Sequence, residues 1–273
     1  MRWPVRSEIC TLLIAIASLQ SAASQPVLRG DTLAQDSNSD TVIRSAGRAP
    51  SKNNRATAYV VPAALFTYGC LALQGGALRK LDTRVQQEIY AKRPHAPFHA
   101  DDYLVWAPAV AVYGLDAAGI KGAHGMIDKS ILYIASFMVA HVSAGVLKRN
   151  SRQVRPDGSD LYSFPSGHTA AAFVSAEFLR QEYAGVSSWY GAGGYATAAA
   201  TGLLRIYNNK HWLSNTLAGA GIGMASVKLV YWVYPLLRKI VVKDKSQTLV
   251  LPMYEHGAMG VRLFFVLNQD YKD

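Results

Sequence analysis

Charge is scarce in this sequence: Asp, Glu, Lys and Arg make up 17% of its 273 residues, against about a quarter in an ordinary soluble domain. Acid is scarcer than base, with 18 Asp and Glu against 28 Lys and Arg. Only two cysteines occur, too few for a disulfide-built scaffold. Half of the residues are apolar, which excludes a globally disordered or collagen-like chain. The mean hydropathy of +0.07 is low for a chain made wholly of membrane spans, and the charge content is low for a freely soluble one. The length leaves room for one or two domains.

Residues 1–24 read as an export signal. Arg2 and Arg6 give a basic start, residues 10–19 a short apolar run, and Ser21-Ala22-Ala23-Ser24 a small-residue cleavage zone. An uncleaved anchor is disfavoured, because about ten apolar residues do not cross roughly 30 Å of hydrocarbon as a helix. Removing the segment takes away two positive charges and the negative Glu8, so the formal charge falls from +10 to +9. Cys10 leaves with it and Cys70 stays behind alone, expected as a small buried hydrophobe.

The stretch 25–57 is polar and without apolar periodicity, which predicts a flexible tether. Runs free of Asp, Glu, Lys and Arg then cover 56–78, 103–115, 130–147, 161–176, 183–204 and 211–227. They predict an all-α, six-helix bundle. The first, third and fifth runs are long enough to span a bilayer, whereas Asp116 and Glu177 interrupt the second and fourth. Gly194, Ala198 and Gly202, and again Gly219 and Gly223, recur at four-residue spacing, placing small residues on one helix face for close packing. Residues 248–253 and 260–267 are β-prone and predict a small terminal hairpin. The predicted organisation is a signal at 1–24, a tether at 25–57, a helical domain at 58–245 and a tail at 246–273. No internal repeat is visible.

His95 and His99, with Asp101 and Asp102 behind them, have metal-ligand spacing, but Pro94 and Pro97 prevent the helix that would aim both rings at one ion. No metal and no cofactor is expected. Three other clusters carry the chemistry. Lys148, Arg149, Arg152 and Arg155 crowd the exit of the third helix, an anion site or, taken alone, a solvated basic loop or nucleic-acid patch. Pro165-Ser166-Gly167-His168 is a turn opening a helix, where amides and a hydroxyl suit a phosphate-like anion and His168 can offer a proton. Arg205 lies six residues before His211, and Asn215 one helical turn after it, beside the His211 ring. With alternate helices antiparallel, all three clusters fall at one end of the bundle. Outside them, His141 reads as a core histidine, and Tyr162 and Tyr207 as pocket walls or interface aromatics.

Together these residues resemble the three-part signature of the type 2 phosphatidic acid phosphatase and vanadium haloperoxidase superfamily, over residues 148–215. Two positions depart from its pattern: Leu204 stands where the family usually has Ser, and Asn215 where it has Asp. The resemblance implies a metal-free phosphohydrolase in which His211 attacks phosphorus to give a phosphohistidine and His168 protonates the leaving alcohol. It further implies that Lys148, Arg155 and Arg205 hold the phosphoryl oxygens, with the Ser166 hydroxyl and the Gly167 amide. Asn215 would orient His211 without the charge of an Asp, so that a slow enzyme accelerated by Asn215→Asp is expected.

The expected substrate is a mono- or diphosphate of an envelope lipid, such as phosphatidate, undecaprenyl diphosphate or a lipid A phosphate, with the membrane as partner and no nucleic acid. Three alternatives stay open: a soluble exported acid phosphatase for small phosphomonoesters, a haloperoxidase, though those chains are much larger, and a weakened phosphate-binding pseudo-enzyme. The location expected is the cell envelope, with the site facing the periplasm. A cleaved signal followed by six spanning helices would instead turn the 148–166 loop to the cytoplasm. Some helices are therefore expected to lie within the bundle or partly in the membrane.

Overall fold

The computed structural model describes residues 53–241, 247–255 and 258–266. The export signal and most of the tether lie outside the described residues. Eight α-helices follow in order: α1 (Asn53–Leu73), α2 (Gly76–Gln86), α3 (Asp101–Leu104), α4 (Ala107–Ala117), α5 (Met126–Ser151), α6 (Gly167–Tyr183), α7 (Ser188–Tyr207) and α8 (Leu213–Val241). A π-turn, Gln87–Ala91, extends α2. The six predicted segments are recognisable, with two of them broken. Gly75 and Gly76, at φ +101° and +76°, divide the first, and the second is split into α3 and α4. Helix α1 begins at Asn53, so the last residues assigned to the tether are helical.

Helix α6 is the axis of this arrangement. Ala170, Ala172, Val174, Ala176, Phe178 and Tyr183 are all buried, and so are Glu177 and Glu182, as expected of a helix surrounded by others. It packs against α4, α5 and α7. A Cβ placed on Gly219 or Gly223 of α8 would lie 2.5 Å from the Ser166 oxygen or 2.3 Å from the Ala170 oxygen, and one on Gly194 of α7 would lie 3.4 Å from Ala176 Cα. The small residues thus do what their spacing predicts, letting helix backbones touch. Cys70 is buried beside Phe164 and Ala218.

By length and composition, Met126–Ser151 and Leu213–Leu236 are apolar enough to cross a membrane, and Thr57–Leu73 with Gly76–Ala91 forms a third candidate bent by 92°. The fifth predicted segment, now α7, does not meet that test, and the sixth does. On α5, Ile127, Ile131, Ile134, Met138, Val142 and Val146 are exposed. Their spacing of three and four residues draws one stripe about 28 Å long, at 1.5 Å per residue.

The chain divides into two compact units, residues 1–227 and 228–273. In the second, strands β1 (Gln247–Glu255) and β2 (Ala258–Val266) pair antiparallel, from Gln247 with Val266 to Glu255 with Ala258. They fall on the two stretches that the sequence marks as β-prone.

Candidate active site

Ser166 caps α6. Its hydroxyl oxygen accepts from the Thr169 amide at 3.4 Å and the Thr169 hydroxyl at 2.9 Å. The amides of Gly167 and His168 belong to the first turn, whose N–H groups have no partners within the helix, so they suit an anion. A Cβ on Gly167 would lie 3.8 Å from Lys148 Cε, which puts the end of α5 against this turn. Helix α5 stops at Arg152, left-handed at φ 44°. Lys148 Nζ, in its last turn, donates to the Tyr162 oxygen at 2.8 Å. Arg155 Nε donates to Asp160 Oδ1 at 2.8 Å, and its Nη1 to the Lys210 oxygen at 3.1 Å.

The spacing of Arg205 and His211 has a local cause. Helix α7 ends at Tyr207, Asn209 turns left-handed at φ 57°, and the amides of Lys210 and His211 return to the Arg205 oxygen at 3.0 and 3.2 Å. Arg205 Nη1 donates to Asp101 Oδ2 at 2.6 Å, while its buried Nε has no protein partner.

His211 is buried, with its Nδ1 2.8 Å from the Ser163 main-chain oxygen and its Nε2 3.2 Å from Arg155 Nη1. A carbonyl oxygen only accepts, so Nδ1 carries the proton. A guanidinium N–H only donates, so Nε2 bears a lone pair. Burial first, then Arg155, Lys148 and Arg205, hold the imidazole well below its usual pKa, in the neutral form. His168 Nε2 lies 3.2 Å from Asp102 Oδ1. Burial and Arg205 lower its pKa, and Asp102 and Asp101 oppose them.

Lys148, Arg155, Gly167, His168, Arg205 and His211 are thus brought near one another, with Ser166 buried behind them as the α6 cap, but Asn215 does not do there what was expected. Among the described residues its side chain hydrogen-bonds Ser163 and Ser214, not the His211 ring. Its Nδ2 donates to Ser163 Oγ, its Oδ1 accepts from Ser214 Oγ at 3.4 Å, and its main-chain oxygen accepts from the Ser166 amide at 3.0 Å. His211 precedes α8, which begins at Leu213, so the helical spacing of 211 and 215 does not apply, and the ring bonds a main-chain carbonyl instead.

Other expectations divide. His141 is exposed on α5 and stacked on Phe137, not a core residue. Tyr207 stacks on His95, whose ring nitrogens face the Arg93 and Tyr207 oxygens. Asp116 pairs with Lys129 and Lys121, and Glu177 with Arg180. Among the described residues no cluster of His, Cys, Asp and Glu has the arrangement of a metal site.

Sequence reasoning missed Ser163, Asp82, Asp101, Asp102 and Asp160 as partners of the site. Asp82, buried, accepts from the Ser214 amide and hydroxyl at 2.9 and 2.6 Å, fixing the start of α8. Asp160 was within reach, since its turn closes on Arg155 five residues before it. Asp82, Asp101 and Asp102 precede their partners by 66 to 132 residues, a distance no local pattern spans.

A cavity of about 420 Å³ opens beside the site, lined by Val105, Trp106, Phe137, Ala140 and Ala144 and ending on Lys148, Gly167 and His168. Its walls are largely apolar, and Lys148, His168 and Asp102 are among the polar residues that line it.

Residues 129–239 match the family model described as PAP2 superfamily, so the resemblance carried by the three motifs is borne out over that stretch. The lipid A 1-phosphatase of Porphyromonas gingivalis is 37% identical over 145 residues, 51% of this chain and 32% of that protein. The chain thus matches about a third of that relative's length. Two solved structures are similar: Aquifex aeolicus LpxE, 23% identical with a TM-score of 0.44 over 56% of this chain and 95% of that one; and a transmembrane PAP2-type phosphatidylglycerolphosphate phosphatase from Bacillus subtilis, 18% identical with a TM-score of 0.45 over 65% and 97%.

Proposed function

From this kinship and from the state of the His211 ring, we propose that the protein is a phosphatase of an envelope lipid phosphate or diphosphate, working through a phosphohistidine and without a metal. The observation that carries the reading is the fixed tautomer: Nδ1 bonded to Ser163 leaves the Nε2 lone pair among Arg155, Lys148 and Arg205. A phosphoryl group entering that space offers its oxygens to the cations, with Arg205 Nε and the Gly167 amide as further donors, and draws the Arg155 N–H away from Nε2. The Nε2 lone pair then attacks phosphorus as the bond to the leaving oxygen breaks, and His168 supplies that oxygen with a proton. Water next attacks the phosphohistidine, loses a proton to His168 and frees phosphate. Phosphoryl transfer asks a protein chiefly for positioning and charge stabilisation, and guanidinium groups match phosphate oxygens.

A lipid substrate fits the apolar cavity that ends on Lys148 and His168. A membrane location fits the exposed stripe on α5, whose length equals a hydrocarbon core of roughly 30 Å. The stripe ends at Val146, two residues before Lys148, which sets the cations at the level of lipid headgroups. Among lipid phosphates, the likeness to the lipid A 1-phosphatase of P. gingivalis favours a lipid A phosphate first. The orientation proposed is toward the periplasm.

The test is phosphate release by the purified protein from a panel of lipid A, phosphatidate and polyprenyl diphosphate. It is paired with trapping of an acid-labile, alkali-stable phosphoryl label that is absent from His211→Ala. A wild type that releases phosphate but never carries such a label would overturn the mechanism.

A further inference from the structure

We propose that Asp102, which lies outside the three motifs, is a positioning residue for His168, orienting its ring and keeping on it the proton that the leaving oxygen takes. The inference rests on the phosphatase reading above and adds to it a residue 66 positions upstream of its partner. Asp102 Oδ1 lies 3.2 Å from His168 Nε2, and both residues line the cavity that ends on Lys148 and Gly167. Among the described residues no other group bonds that nitrogen.

The neighbouring aspartate explains why Asp102 stands there. Asp101 is fully buried and accepts from Arg205 Nη1 at 2.6 Å and Asn208 Nδ2 at 3.3 Å. Asn208 in turn bonds the main chain of Phe98 in both directions. Helix α3 is thereby fastened to the end of α7, and the next residue is delivered to the start of α6. Two adjacent carboxylates thus serve two different parts of the same site, one the phosphate-holding arginine and the other the acid.

The charges around His168 make the second duty necessary. Arg205 from α7 acts on the His168 ring, and Lys148 and His141 of α5 line the same cavity as His168. Burial and Arg205 favour the neutral imidazole, which has no proton to spare for a leaving alkoxide. Against them stand Asp102 and Asp101 on α3, while His99, 3.7 Å from Asp102 Oδ2, faces the carboxylate's other oxygen. Through the reaction His168 gives its proton to the leaving oxygen as the phosphorus–nitrogen bond forms. It regains one from water as that bond breaks.

The experiment uses the full-length protein in detergent with two substrates, a dialkyl phosphatidate whose alcohol leaves only if protonated and a nitrophenyl phosphate whose phenolate leaves unaided. Asp102→Asn is expected to lower the alkyl-to-aryl ratio of kcat/KM about ten-fold above neutrality, moving the basic limb of the alkyl profile down by about one pH unit. Asp102→Glu, which keeps the carboxylate, is expected to restore much of that limb. NMR titration of His168 gives a reading independent of turnover, with the ring losing its proton at lower pH in Asp102→Asn. An active wild type whose Asp102→Asn variant keeps the same limb, ratio and titration overturns the proposal. Should Asp102→Asn not fold, an Asp102→Glu profile and titration identical with those of Asp102→Ser would overturn it equally. A wild type inactive on both substrates while binding phosphate would overturn the phosphatase reading, and this inference with it.

Discussion

The His211 ring is held by the main chain of Ser163, Nδ1 to oxygen at 2.8 Å, and not by the side chain of Asn215. A main-chain acceptor survives any substitution at 163 or 215 that preserves the loop, so ring orientation here does not depend on an aspartate.

The first prediction follows for Asn215. An aspartate there would accept from Ser163 Oγ in place of donating, but it would bury a second carboxylate beside Ser214, which already bonds Asp82. Asn215→Asp is expected to change kcat by less than about ten-fold and to lower stability by about 1–3 kcal/mol, the cost of an ill-satisfied buried polar group. Steady-state kinetics and thermal unfolding measure both. A gain beyond ten-fold would mean that the missing charge limits the enzyme after all, as the sequence alone suggested.

The second concerns pH. His211 must be neutral to attack, and its pKa is held well below the usual histidine range, so the nucleophile survives into acid. His168 must be protonated to act, and its pKa is also lowered, so the acid is lost as pH rises through a value below 6.5. The kcat/KM profile for alkyl phosphates should therefore peak on the acid side of neutrality and decline above it. An optimum well above neutrality would contradict the assigned roles.

Third, activity should persist after exhaustive treatment with chelator, because the candidate site gathers cations and no acidic metal cluster is found among the described residues. Vanadate should inhibit competitively, by taking the five-coordinate geometry of the phosphorus being transferred. His211→Ala should abolish turnover, whereas His168→Ala should retain most of its kcat/KM toward nitrophenyl phosphate, which reads the step that releases the phenolate, while hydrolysis of the phosphohistidine slows.

Fourth, Gly219→Ala should be poorly tolerated. Its new methyl would meet the Ser166 oxygen at 2.5 Å, so α8 or the α6 cap must shift, at roughly 1–3 kcal/mol for overpacking. The loss should appear in kcat as well as in the melting temperature, since Ser166 opens the cradle. Gly193→Ala, where a Cβ meets nothing within 4 Å, is the control that should leave both unchanged.

Fifth, a thiol reagent that does not cross the inner membrane should label a cysteine at the catalytic loop in cells with a permeabilised outer membrane. Gly158 is unsuited to carry it, being left-handed at φ 73°, so Ser159→Cys is the better site, with Cys70 buried and silent. Labelling only after inner-membrane lysis would place the loop in the cytoplasm.

Much of this was legible in the sequence because the motifs are local. Lys148 to Arg155, Pro165 to His168 and Arg205 to His211 each sit at one helix end, so spacing alone brought them together. The helix-packing glycines were legible for the same reason, since four-residue recurrence is a face. What stayed hidden was whatever depended on distant chain or on backbone atoms. Asp101 and Asp102 looked like neighbours of two histidines in a loop until α3 was seen against α7 and α6. Ser163 acts through its carbonyl oxygen, which every residue possesses and no sequence can mark. His141 sits in an apolar run and reads as core, because composition does not tell a buried helix face from an exposed one.

The α5 stripe makes the helix a ruler. Buried Lys129, paired with Asp116, stands near one end, and Lys148 stands nineteen residues away at the other, so sliding along the bilayer normal would drag one polar end into hydrocarbon. On the proposed reading the phosphate cradle would be pinned in depth, and a lipid drifting sideways in its own leaflet would bring its phosphate to the height of His211 without being lifted out of the membrane.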